Sequence, residues 1–148
     1  MKMISIAFAS LMTVMTVTAV AETVTWTPQT VRFSYFNSRA FYSCDYAEAQ
    51  TEHFLTLLGA RNPDVRCSGG LPETSAVNIT AQFAAPSVST DGVEASWHSV
   101  TLKSRESCEL NETIVRHVMK RFPTREVTSQ SSCWNAEGSF TYEFETLR

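Results

Sequence analysis

The sequence lacks the short motifs that mark the commonest catalytic and cofactor-binding sites. It contains no G-x-S-x-G elbow, no H-E-x-x-H pair, no C-x-x-C pair and no glycine-rich loop ending in Lys-Ser or Lys-Thr. These motifs carry a serine nucleophile, a zinc site, a redox dithiol and a phosphate cradle, respectively. The aspartates and glutamates are scattered, so no catalytic carboxylate pair stands out. We therefore expect no cofactor, and no motif predicts an enzyme.

Positive charge is also scarce. The 148 residues include 12 Lys and Arg against 15 Asp and Glu, which gives a formal net charge of −3, and the basic residues form no run. A protein that binds nucleic acid needs a basic patch to neutralise phosphates. The composition therefore argues against nucleic-acid binding.

What the sequence does contain is a pair of similar segments, each bounded by cysteines, over 44–67 and 108–133. With a shift of 64 positions (108 − 44 = 64), Glu48 falls on Glu112 and His53 falls on His117. Each segment starts with a first-turn carboxylate and the apolar spacing of a helix, and each ends in a strand pattern. We therefore predict two copies of one unit, about 30–85 and about 92–147.

The lengths of these predicted elements suggest how the four cysteines pair. A helix over 45–58 spans about 21 Å at 1.5 Å per residue, and a strand over 61–67 spans about 23 Å at 3.3 Å per residue. A strand that runs back along its helix therefore ends beside the helix start. Sequence alone allows three connectivities. The length match favours one disulfide within each copy, Cys44–Cys67 and Cys108–Cys133.

Residues 1–21 have the pattern of a cleaved secretory signal peptide. Lys2 precedes an apolar stretch over 4–20, and 19–21 form a small-x-small cleavage site. The apolar stretch is short for a bilayer span, and an uncleaved N-terminal anchor is the alternative. An even number of cysteines fits export to an oxidising compartment. We therefore expect a periplasmic or secreted protein, of bacterial type, with no stable membrane span after cleavage.

Short stretches of alternating apolar and polar residues predict the remaining strands. They cover 31–35, 77–83, 93–102 and 139–145, with 22–30 as a lead-in and 86–92 as a hairpin loop. The expected fold is α+β: a two-layer sandwich in which a mostly antiparallel sheet carries two helices on one face. This single domain over 22–148, built from two β-α-β-β units, resembles a ferredoxin-like fold with extra strands.

His53 and His117 are the candidates for metal binding or catalysis. They occupy corresponding positions in the two predicted helices, so their rings could meet if the helices pack side by side. With Glu48 or Glu112 they could bind a transition metal or act as acid and base. The alternative is that each ring only borders the apolar stripe of its helix.

Three connections, 37–43, 68–72 and 132–138, should meet at the end of the sheet where both helices begin. They would bring together an arginine, an amide, three aromatic side chains and two glycines: Arg39, Phe41, Tyr42, Gly69, Gly70, Trp134 and Asn135. Helix N-termini favour an anion, and aromatic residues beside arginine are typical of binding hot spots. The alternative is that Phe41 and Tyr42 only cover the core while Arg39 faces solvent.

The function that we expect is an exported binding module for an unknown protein, peptide or envelope component. This expectation depends on the missing catalytic motifs, the small size and the predicted cluster of connections. One alternative is a small metal-dependent or histidine-based enzyme that uses His53 and His117. A second alternative is a secreted inhibitor, since disulfide-linked exported domains suit that role.

Overall fold

The computed structural model describes residues 21–134 and 137–148. Two helices form, α1 (Cys44–Leu58) and α2 (Cys108–Val118), and a short 3-10 helix (Met119–Arg121) extends the second. The strands are β1 (Glu22–Phe36), β2 (Arg61–Gly69), β3 (Ala76–Val88), β4 (Val93–Ala95), β5 (Trp97–Ser104), β6 (Thr124–Ser131) and β7 (Phe140–Leu147). The predicted signal peptide, apart from Ala21, and Asn135 lie outside the described residues.

The α+β class is confirmed, and the strand pairs are antiparallel, but the strands form two sheets. One has the order β2-β3-β1-β4 and the other the order β5-β7-β6. The strand predicted over 93–102 divides at Ser96 because it changes partner there. Residues 93–95 pair with β1, Ser96 exchanges two backbone hydrogen bonds with Arg148 (3.0 and 3.1 Å), and β5 pairs with β7.

Two strands are longer than the sequence predicts. The segment 22–30 is the first part of β1, and β3 continues past Pro86 to Val88, so the hairpin loop shortens to 89–92. The register between β1 and β3 is continuous from Val24 opposite Val88 to Phe36 opposite Ala76. Prolines normally interrupt a sheet because they donate no hydrogen bond. Here β4 pairs only with residues 22–24 of β1. Pro28 therefore has no partner among the described strands on the β4 side, and no hydrogen bond between strands is lost there.

Helix α1 begins and ends at residues that suit those positions. The Ser43 hydroxyl accepts a hydrogen bond from Tyr46 N (3.3 Å), and Gly59 ends the helix in the left-handed region at φ 86°. Its buried stripe includes Thr51, whose hydroxyl donates to Ala47 O (2.7 Å). Leu57 lies outside this stripe and is exposed.

Helix α2 begins without such a cap. Ser107 precedes this helix as Ser43 precedes α1, but it has φ 50° and its side chain makes no capping hydrogen bond. The α-helix ends at Val118, and the short 3-10 helix that continues it stops before Phe122, which precedes Pro123 and is extended. The apolar spacing that predicted this helix is buried, at Leu110, Ile114, Val118 and Phe122.

One apolar core joins the two halves of the chain, and it lies between the helices and the sheets. Phe54 of α1 packs against Phe140 of β7, with ring centroids 6.3 Å apart. Phe83 of β3 stacks on Phe122, after α2, at 5.6 Å. Each half therefore covers part of the other.

The predicted disulfide pairing is confirmed. Cys44 is bonded to Cys67, with their Cα atoms 5.3 Å apart, and Cys108 is bonded to Cys133, with their Cα atoms 5.2 Å apart. Each disulfide links the start of a helix to the returning strand or to the turn just after it.

Candidate binding site

A cleft of about 340 Å³ lies beside the start of α2. We call it the α2 cleft. Its walls come from the connection before α1, from the first residues of α2 and from the turn after β6. The lining residues are Asn37, Arg39, Ala40, Tyr42, Arg105, Ser107, Cys108, Glu109, Cys133 and Trp134.

The first wall is the connection 37–43, which reaches across from the N-terminal half to α2. Asn37 Nδ2 donates a hydrogen bond to Glu109 Oε2, and the Tyr35 hydroxyl donates to the same oxygen (3.3 Å). Asn37 Oδ1 also accepts from Arg39 N (2.8 Å), which turns the backbone locally. These bonds hold the connection against the second helix.

The second wall is fixed by a disulfide. Cys108, at the first turn of α2, is bonded to Cys133, and both cysteines line the cleft. This bond holds the neighbouring Trp134 at the rim, where the residue is 74% exposed. A single exposed apolar side chain is common, so the indole points to a binding site only together with apolar neighbours at the same end of the molecule.

Two guanidinium groups face the cleft. Arg39 and Arg105 are exposed, and neither takes part in an ion pair with any residue in 21–134 or 137–148. Burial raises the pKa of Tyr35 to about 12, so its phenol stays neutral and donates to Glu109 near neutral pH. Burial also raises the pKa of Tyr42. The cleft therefore combines two cations, two neutral phenols near its wall, an indole and one hydrogen-bonded carboxylate.

The structure brings together only part of the predicted cluster. Arg39, Tyr42 and Trp134 line the α2 cleft. Gly69 and Gly70 lie at the same end of the molecule, but their contribution comes from the conformation of the backbone. Both glycines have positive φ (80° and 74°), and a Cβ on Gly70 would lie 2.8 Å from Tyr42 O. They therefore allow the turn after β2 to support the connection 37–43.

Phe41 is exposed beside the cleft and does not line it. It belongs to a wider apolar surface at this end of the molecule. Four of the eight most exposed large apolar side chains within the described residues lie here: Phe36, Phe41, Leu71 and Trp134. Leu71 is tied to the same place, since its N–H donates to Tyr42 O (2.9 Å).

The sequence prediction missed Asn37, Arg105 and Glu109 as lining residues. Glu109 was noted only as a first-turn carboxylate, and Arg105 lies in the short connection 105–107 before α2. A comparison of that connection with 37–43 could have found Arg105, because both precede a helix at the same end of the molecule.

The two histidines have different surroundings. His53 is exposed, with its ring centroid 5.5 Å from that of Phe54. His117 stacks on Phe33 at 4.6 Å, and its Nδ1 donates to Thr113 O (2.8 Å). Among the residues that the structure describes, no group of three or more His, Cys, Asp and Glu side chains is arranged to hold a metal ion. These contacts give the metal or acid–base hypothesis no geometric support.

Comparison of the chain with protein-family models, with curated proteins and with solved structures gives no match. Over the described ranges, no helix combines the length and the apolar character needed to cross a membrane.

Proposed function

We propose that the protein is a small exported module that binds a segment of another protein at the α2 cleft and the apolar surface around it. The observation that carries this proposal is the composition of that one end. Two exposed arginines without ion-pair partners among the described residues and an exposed tryptophan share a cleft, and Phe36, Phe41 and Leu71 add apolar area nearby.

Two physical arguments support binding over a purely structural role for these residues. Tryptophan and arginine dominate binding hot spots because they combine apolar area with directional hydrogen bonds. An exposed apolar surface costs free energy in water unless a partner covers it. The cleft is also fixed from both sides, by the disulfide and by the bonds to Glu109, which reduces the entropy lost on binding.

The exported location is supported by the two disulfides and by the pattern of residues 1–21. Disulfides persist in oxidising compartments such as the bacterial periplasm and the extracellular space. They also stabilise the fold, because they restrict the unfolded chain. The origin of the two halves as copies of one unit stays a prediction.

The test is a selection from a random-peptide phage library on the purified, disulfide-bonded protein. The dissociation constants of the selected peptides are then measured by fluorescence anisotropy. We expect Trp134→Ala to weaken binding at least tenfold, as removal of a hot-spot residue does. Val88→Ala is the matched control, since Val88 is also largely exposed (62%) but lies at the other end of β3.

Two outcomes would overturn the proposal. One is that no peptide is enriched on the folded protein. The other is that the enriched peptides bind the Trp134→Ala variant as tightly as the wild type, or lose affinity equally with Val88→Ala. In either case the apolar end would have a role other than peptide binding.

A further inference from the structure

We infer that the ligand segment is acidic, and that it presents a carboxylate to Arg39 and Arg105 next to an apolar side chain that covers Trp134. This inference rests on the proposed function and adds the chemistry of the ligand. It depends on how charge is distributed within the α2 cleft.

The carboxylate of the cleft makes no ion pair with either of its arginines. Glu109 Oε2 accepts hydrogen bonds from Asn37 and Tyr35, and Glu109 forms no ion pair with a described residue. Glu109 therefore serves to hold the connection 37–43 in place. Two positive side chains and one negative side chain line the cleft.

The α2 cleft differs in charge from the rest of the chain. The whole sequence has a formal net charge of −3, whereas the α2 cleft has more positive than negative lining residues. A positive site on an acidic protein attracts an anionic group locally, while the surrounding charge repels ligands that are anionic throughout. A short acidic segment beside an apolar residue suits this pattern better than a polyanion.

The two arginines should contribute unequally. Arg105 also borders a neighbouring depression that contains Glu106 and Glu137, so part of its positive potential is offset there. Arg39 lies on the connection 37–43, and its backbone N–H is already fixed by Asn37 Oδ1 (2.8 Å). We therefore expect Arg39 to be the main carboxylate partner and Arg105 the secondary one.

Carboxylate is the preferred anion because the site offers an apolar surface beside the charges. A guanidinium group can bind a carboxylate through two parallel hydrogen bonds, and the Trp134 indole can cover the adjacent apolar side chain. Free inorganic phosphate would use the arginines and leave the indole exposed. The test below therefore includes phosphate as a competitor.

The experiment uses matched synthetic peptides made from the sequences that the phage selection enriches. Each acidic peptide is paired with a version in which Asp and Glu are replaced by Asn and Gln, and both are titrated against the wild type. We expect the neutral version to bind about tenfold more weakly, which is typical of the loss of a charge-assisted hydrogen bond. Raising the salt from about 0.05 to 0.5 M should weaken only the acidic version.

Arg39→Ala should weaken the acidic peptide by about the same factor and should weaken the neutral peptide much less, and Arg105→Ala should have the same effect to a smaller extent. Arg32→Ala is the control, because Arg32 is exposed on β1 and does not line the cleft. Inorganic phosphate at millimolar concentration should not displace the acidic peptide.

The outcomes separate this inference from the proposed function. If Trp134→Ala abolishes binding while acidic and neutral peptides bind alike, the inference is wrong and the proposed function stands. If Arg32→Ala matches Arg39→Ala, or if phosphate displaces the peptide, the ligand is only an anion held by general charge, and the inference is again overturned. If Trp134→Ala has no effect on any enriched peptide, the proposed function fails first.

Discussion

The N-terminal half of the chain (22–88) and the C-terminal half from β5 onward (97–147) share the order strand, helix, strand, strand and the same arrangement of strands in their sheets, but the starts of their helices differ. Helix α1 is capped by the Ser43 hydroxyl, and the turn after β2 covers its first residues through the bond from Leu71 N to Tyr42 O. Helix α2 has no side-chain cap, and the α2 cleft opens beside its first turn. The candidate site therefore arises where the two halves differ.

The features that the halves share belong to the framework. Glu48 Oε1 accepts from Cys67 N (2.6 Å) on β2, and Glu112 Oε2 accepts from the Ser131 hydroxyl (2.9 Å) on β6. Each glutamate thus joins its helix to the strand that returns beside it.

A second shared feature is the contact between an arginine and a tryptophan. The guanidinium of Arg61 lies 3.8 Å from the ring centroid of Trp26, and that of Arg125 lies 4.3 Å from the ring centroid of Trp97. Each arginine begins or nearly begins the second strand of its half, and each tryptophan lies on the first. These contacts act in packing, since such a pair stabilises a protein by about 0.5–1 kcal/mol at exposed sites.

Removing the disulfides should give the largest effect on stability, and it should show that the two halves differ in their part in peptide binding. Replacing either cysteine pair with alanine should cost about 2–5 kcal/mol of unfolding free energy, because the unfolded chain gains freedom. Only Cys108→Ala with Cys133→Ala should also weaken peptide binding, because that disulfide lines the α2 cleft. Urea unfolding and anisotropy titrations, made where each variant is more than nine-tenths folded, measure the two effects.

The proposed difference between the halves would be wrong if the Cys44→Ala, Cys67→Ala variant lost as much peptide affinity as the Cys108→Ala, Cys133→Ala variant. That result would mean that the turn after β2 shapes the ligand site as directly as the turn after β6 does.

Removing the buried glutamate should give the next largest effect. Glu112 accepts from Arg116 (2.7 Å), Ser131 (2.9 Å) and Tyr142 (3.4 Å). Within the part of the chain that the structure describes, the Glu48 side chain accepts one hydrogen bond, from Cys67 N. Glu112→Ala should cost about 2 kcal/mol and Glu48→Ala about 1 kcal/mol of unfolding free energy, because each leaves donors without an acceptor.

Urea denaturation of the two variants measures this difference, with Glu52→Ala as the control. Glu52 is exposed on α1, and among the described residues its side chain makes no hydrogen bond or ion pair. Equal losses of unfolding free energy in the Glu48 and Glu112 variants would show that the additional hydrogen bonds of Glu112 do not contribute to stability.

The fold could be predicted from the sequence as far as its signals are local. Helix positions follow from apolar spacing, and the disulfides follow from the matching lengths of a helix and its returning strand. The two sheets could not be predicted in this way. The division at Ser96 depends on its bonds to Arg148, at the far end of the chain, and no pattern near Ser96 reports that pairing.

The candidate site was predictable only in part for a similar reason. Arg39, Tyr42 and Trp134 were found because aromatic and basic residues cluster in the connections. Glu109 was missed because its role depends on how Asn37, in the connection of one half, reaches the helix of the other half. Such contacts between halves have no signature in sequence spacing.

The smallest effect that we predict concerns a shared irregularity in the edge strands. Asn62 in β2 and Glu126 in β6 both have left-handed backbone conformation, with φ of 50° and 53°, and each lies at a shift in strand register. Asparagine adopts this conformation with little strain, whereas a glutamate is strained there by about 1 kcal/mol. Glu126→Gly should therefore stabilise the protein by about 0.5 kcal/mol, and Asn62→Gly should change little.

Ser129→Gly is the matched control for the Glu126 variant, because Ser129 lies in the regular part of the same strand, opposite Tyr142. Glycine there should destabilise the protein by about 0.5–1 kcal/mol, since it only adds freedom to the unfolded chain. Thermal unfolding of the three variants shows directly whether each substitution raises or lowers the stability of the protein. If Glu126→Gly destabilises the protein as much as Ser129→Gly does, Glu126 is not held in the left-handed region, and the correspondence between β2 and β6 is wrong at this position.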